Sequence, residues 1–91
     1  MEVKHIKITV SGKVQGVYYR VSAKEKADEL GVVGFVRNEP NGDVYLEAEG
    51  VEEAIYKYIK WCNLGPAKAV VEKIDAKPGE IIGFSKFEIK L

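Results

Sequence analysis

Gly12-Lys13-Val14-Gln15-Gly16-Val17-Tyr18-Tyr19-Arg20 divides a stretch of period-two alternation from a stretch of helical spacing, and so reads as the turn from a first strand into a first helix. Two glycines flank the bend, because only Gly takes positive φ, or lets a ligand touch the main chain, without steric cost. A loop that opens a helix leaves backbone N–H groups without intrahelical partners. Those donors, together with the helix dipole, favour an anion. Arg20 closes the stretch with a planar, permanently charged fork suited to two oxygens of a phosphoryl group or a carboxylate. The stretch therefore suggests a phosphate cradle. It is not a nucleotide P-loop, which needs Gly-Lys-Ser/Thr to reach the β- and γ-phosphates and hold magnesium, whereas Gly16 is followed by Val17 and Tyr18.

Working outward, Ile6, Ile8 and Val10 alternate with Lys7 and Thr9 as in a half-buried strand. After the loop, Tyr19, Ala23, Ala27 and Leu30 fall on one helical face and Gly31 supplies the stop, which predicts a helix from Tyr19 to Leu30. A second strand is expected over Val32 to Asn38. A third carries Val44, Leu46 and Ala48 inward, and Asn41-Gly42 between the two signals a hairpin with a primed turn. Val51, Ile55, Tyr58, Ile59 and Cys62 form the apolar face of a second helix that Gly65-Pro66 ends. Val70 to Ala76 makes a fourth strand whose inward face is ambiguous, and Lys77-Pro78-Gly79 is expected to turn the chain. Phe87, Ile89 and Leu91 alternate in a last strand.

The order is strand, helix, strand, strand, helix, strand, with one strand appended. Right-handed crossovers put both helices on one face of a mainly antiparallel sheet, the α+β ferredoxin-like βαββαβ sandwich. Residues 1–91 are expected to form one domain, since 91 residues with 46% hydrophobic and 31% charged side chains suffice for one soluble core. Fourteen basic and fourteen acidic residues cancel, so no overall field attracts nucleic acid. Neither a membrane span nor a signal-peptide pattern is visible, and a single cysteine suits a reducing compartment, so a cytoplasmic protein is expected. Lys and Glu enrichment resembles a high-temperature composition.

Catalytic side chains are sparse. His5 has no Ser, Cys or carboxylate spaced to partner it and is expected at the surface. Glu47 and Glu49 look like an exposed strand face, Cys62 like a core residue, and Arg37 like an outward residue able to help attract an anion. No zinc or calcium pattern exists, so no metal and no cofactor is expected.

Gly12 to Arg20 resembles the acylphosphatase signature Gly-x-Val-Gln-Gly-Val-x-(Phe/Tyr)-Arg. Gly34-Phe35-Val36-Arg37-Asn38, followed by Asn41-Gly42-Asp43-Val44, is similar to that family's second motif, and Gly65-Pro66 with Ala69 and Val70 to a third segment. Phe35 stands where the family often has Trp, and Tyr45 where it often has an acidic residue. The resemblance implies hydrolysis of acyl phosphates to carboxylate and inorganic phosphate. It implies that Arg20 and the backbone amides of Gln15, Gly16, Val17, Tyr18, Tyr19 and Arg20 hold the phosphate, and that Asn38 orients the attacking water. The partners implied are a small acyl phosphate and competing phosphate or sulfate, with no nucleic acid, no membrane, and a monomer or weak oligomer. The alternative is a non-catalytic anion- or RNA-binding module of the same strand order, for which strand three offers only Tyr45 as a stacking platform.

Overall fold

The structure is a computed structural model that describes residues 2–91. Its elements run β1 (Val3–Lys13), α1 (Tyr19–Leu30), β2 (Val33–Asn38), β3 (Val44–Val51), α2 (Glu52–Leu64), β4 (Val70–Gly79) and β5 (Phe87–Lys90). The sheet order is β4-β1-β3-β2-β5. β1 runs antiparallel to β3 and β4, β2 antiparallel to β3, and β5 parallel to β2. This is the expected ferredoxin-like sandwich with its appended strand lying beside β2.

Both helices pack on the sheet and on each other. Between them and the sheet lie Ile8, Val10, Val36, Val44, Leu46 and Ala48 from the strands, with Tyr19, Ala23, Ala27, Tyr58 and Cys62 from the helices, all buried. Two tyrosines sit in this core because each hydroxyl finds a carbonyl: Tyr19 donates to Cys62 at 2.7 Å and Tyr58 to Ala23 at 2.9 Å. These bonds tie α1 to α2 from both sides. Burial pushes both phenols far above their ordinary value, and the Cys62 thiol up to about 12.

Three expectations are corrected. Lys77-Pro78-Gly79 does not turn the chain but continues β4, pairing with Lys7, Ile6 and His5. Proline is tolerated because β4 is an edge strand, where one side of the backbone needs no ladder donor. Asn41-Gly42 is not a two-residue primed turn, since only Gly42 has positive φ. The loop instead closes with Glu39 N–H donating to the Asp43 carbonyl at 2.8 Å and Asp43 N–H to Asn41 Oδ1 at 3.0 Å.

The third correction concerns His5, which is buried, not at the surface. The β1–β3 register sets it opposite Glu49. Its Nδ1 lies 2.7 Å from Glu49 Oε2 and its Nε2 2.9 Å from Glu47 Oε1. Glu49, also buried, accepts further hydrogen bonds from the main-chain N–H groups of Ile82, Gly83 and Phe84, and so straps that segment to the sheet. Burial alone would raise the Glu49 carboxyl. The Ile82 amide, His5 and the next two amides outweigh it and hold the group below its ordinary range.

Candidate active site

β1 and β2 are parallel to one another, because both run antiparallel to β3. The shared register Val10, Val44, Asn38 therefore brings the loop after β1 and the end of β2 to one edge of the sheet. β5, parallel to β2, delivers Ile89 and Leu91 to the same edge. There they line a cavity of about 480 Å³ with Val14, Gly16, Tyr18, Tyr19, Arg20, Val21 and Asn38.

The loop begins where β1 breaks register between Ser11 and Gly12. A Cβ at Gly12 would overlap the Val70 carbonyl oxygen, so glycine is required at that bend. Further on, Gly16 has φ 74° and Tyr18 φ 64°. Glycine takes this conformation freely. For a tyrosine it costs on the order of 1–3 kcal/mol, and such strain persists only where the surroundings fix it. One anchor is the next residue: Tyr19 is buried against Trp61 and Gly65, with its hydroxyl on the Cys62 carbonyl. The αL residue is also the N-cap of α1, which has no side-chain cap. Among the described residues no acceptor faces the N–H groups of Gln15 to Arg20. A run of such donors at a helix start is an anion site.

Of the expected residues, Gly16, Tyr18, Tyr19, Arg20 and Asn38 line the cavity, while the side chains of Val17 and Gln15 do not. Val17 is buried in the core. The Gln15 side chain turns to the hairpin, where Nε2 donates to the carbonyls of Glu39 at 2.8 Å and Asp43 at 2.9 Å. Arg37 also lies outside. Its guanidinium sits over the Tyr45 ring, 4.8 Å from the centroid, and reaches Glu39 at 3.4 Å. Phe35 is buried on that same open face of the sheet.

Asn38 is the polar residue whose state is least expected of a folded interior. Its Oδ1 is buried and has no hydrogen-bond partner among the described residues. An unpartnered buried oxygen costs about 1–3 kcal/mol, and where one persists it calls for an explanation such as a bound water, an ion or a catalytic role. Four exposed apolar side chains, Tyr18, Val21, Ile89 and Leu91, rim the same cavity. Among the described residues no group of three or more His, Cys, Asp or Glu is placed to hold a metal ion, and no helix is long and apolar enough to cross a membrane.

The fold is a ferredoxin-like sandwich, and its cavity is lined by Arg20, Asn38 and the loop that opens α1. The acylphosphatase family model matches residues 6–89. The chain is 44% identical over 87 residues to an acylphosphatase of Methylococcus capsulatus, covering 94% of this chain and 95% of that one. Among solved structures, an acylphosphatase from Coxiella burnetii superposes with a TM-score of 0.94 at 38% identity, covering 97% of this chain and 93% of that one. The Bacillus subtilis acylphosphatase gives the same TM-score at 28% identity, over 99% and 100%. The chain belongs to the acylphosphatase family, and its activity is the hydrolysis of acyl phosphates.

Proposed function

We propose that water attacks the phosphoryl group directly, oriented by Asn38, while Arg20 and the amides of Gln15 to Arg20 hold the phosphoryl oxygens. The observation that carries this reading is the buried, unpartnered Asn38 Oδ1 on the cavity that Arg20 lines. It can accept a hydrogen bond from one water and aim its lone pair. An amide cannot act as a base at neutral pH, and none is needed, because a loose phosphoryl-transfer transition state asks little nucleophilic assistance. The new bond joins the water oxygen to phosphorus, and the bond from phosphorus to the acyl oxygen breaks. That electron pair leaves as carboxylate, while the water protons pass to a phosphate oxygen and to solvent. Carboxylate leaves without protonation, so no general acid is required. Catalysis rests on positioning and on charge stabilisation by preorganised donors.

The acyl group lies along the apolar rim of Tyr18, Val21, Ile89 and Leu91. On the same reading the enzyme works in the cytoplasm as a monomer or weak oligomer, and its other ligands are inorganic anions. Nucleic acid finds little to stack on, since Phe35 is buried and Tyr45 is covered by Arg37.

The test is turnover of benzoyl phosphate with inorganic phosphate or sulfate added. Competitive inhibition is expected, together with a preference for the mixed anhydride over an alkyl phosphate ester on the order of a thousandfold or more. Comparable rates on the two substrates would reveal an acid that this mechanism lacks. Non-competitive inhibition would move the phosphate site elsewhere.

A further inference from the structure

Gln15 belongs to the phosphate loop by sequence, yet its side chain leaves the loop. Nε2 donates to the carbonyls of Glu39 and Asp43 at 2.8 and 2.9 Å. Both acceptors are carbonyls, so the end facing the hairpin must be the NH₂ group, with each of its two hydrogens engaged. The two acceptors are themselves linked, since Glu39 N–H donates to the Asp43 carbonyl and Gly42 N–H to the Glu39 carbonyl. One amide thus bridges the two ends of the hairpin loop, just after β2 and just before β3. Glu39 is the residue directly after Asn38.

The placement matters because the two halves of the site sit on separate segments. The phosphoryl cradle spans residues 14–20, the loop after β1 and the first two residues of α1, carries the left-handed Gly16 and Tyr18, and is not part of the sheet ladder. Asn38 is the last residue of β2. The Gln15 amide crosses between them, from within the cradle to the residue beside Asn38. We infer that Gln15 is a positioning residue that sets the distance between the bound phosphoryl group and the water on Asn38. This inference rests on the water-positioning reading above. Displacing an attacking group by about 1 Å is enough to cost on the order of a hundredfold in rate. Phosphate binding does not need that alignment, because it draws on Arg20 and the loop amides alone.

The test is a double-mutant cycle with Gln15→Met, which keeps the length of the side chain and removes both donors. Expected is a fall in kcat of tenfold to a hundredfold, roughly the cost of such a misalignment. The inhibition constant of inorganic phosphate should stay within about twofold, a split between turnover and binding that identifies misalignment. In the Asn38→Ala background the same substitution should change kcat by less than about twofold, because no positioned water remains to be misplaced. Gln15→Leu is the second variant, and thermal unfolding of each checks the fold. An equal loss of kcat in the Asn38→Ala background, or a loss of phosphate binding as large as the loss of kcat, would overturn the proposal. So would unchanged kcat in the single mutants, or failure of both to fold, which would assign the clamp to stability alone. A different result, Asn38→Ala with near-normal kcat, would remove the reading on which the proposal stands.

Discussion

The open face of the sheet and the edge that carries the cavity hold their polar groups in opposite ways. On the open face the buried His5 and Glu49 form a cluster of titratable side chains with the partly exposed Glu47, and every ring nitrogen and each Glu49 oxygen is engaged inside the protein. Tyr45 closes the chain by donating to Glu47 at 2.7 Å. At the sheet edge, by contrast, Asn38 Oδ1 is bare, Tyr18 is strained and the loop amides have no acceptors among the described residues. The richer set of acids and bases does structural work because its bonding capacity is spent. On the proposed mechanism the poorer set does the chemistry, because its capacity is left for a substrate. Residue type alone would choose the open face as the site of chemistry.

Perturbing the edge should remove activity and perturbing the cluster should remove stability. The largest effect belongs to Arg20→Ala, which should abolish measurable turnover of benzoyl phosphate and weaken phosphate binding together, since phosphate is anionic in both ground and transition states. Arg20→Lys should fail as well, because a point charge does not reproduce a two-pronged contact. Activity retained by either variant would break the assignment of the edge as the chemical site.

Glu49→Gln is the converse. Replacing the buried carboxylate leaves the His5 ring and the Ile82, Gly83 and Phe84 amides short of a charged acceptor and costs about 3 kcal/mol, which for a chain of this size lowers Tm by roughly 15 °C. At a temperature where the variant is folded, kcat should be close to that of the native chain. The sign with pH follows from the lowered carboxyl. Glu49 binds its proton less tightly when folded than when unfolded, so its contribution is whole above its ordinary value of 4.5 and is lost as pH falls below that, through the folded value. Acid unfolding curves should therefore be steeper for the native chain than for Glu49→Gln. A stable but inactive Glu49→Gln would erase the distinction between the open face and the edge. The smallest expected effect is that of a chelator, which should leave turnover unchanged because the loop donors and Arg20 supply the charge stabilisation. Activity lost to chelator and restored by a divalent ion would contradict this.

What was legible in the sequence divides along the same line. Helix α1 runs from Tyr19 to Leu30 as its periodicity and the following Gly31 predict, because helix signals are local. Arg20 and Asn38 stand in motifs of consecutive residues, and the parallel relation of β1 and β2 explains why these two motifs, far apart in the chain, line one cavity. The His5 cluster was missed because its partners lie 42 and 44 residues away and meet it only through strand register. Nothing in a single sequence spaces them. Pro78 misled for a related reason: it reads as a turn unless the strand is known to be at an edge. The outward turn of the Gln15 side chain and the bare Asn38 oxygen are likewise properties of the assembled sheet.

Whether chemistry resides where polar capacity is unspent turns on Asn38. The most direct measurement is kcat for benzoyl phosphate and the dissociation constant of inorganic phosphate on one folded sample of Asn38→Ala. Loss of the water-orienting oxygen should lower kcat by on the order of a hundredfold or more while phosphate affinity stays within about twofold of the native chain. Near-normal kcat, or a loss of phosphate binding as severe as that of Arg20→Ala, would contradict it.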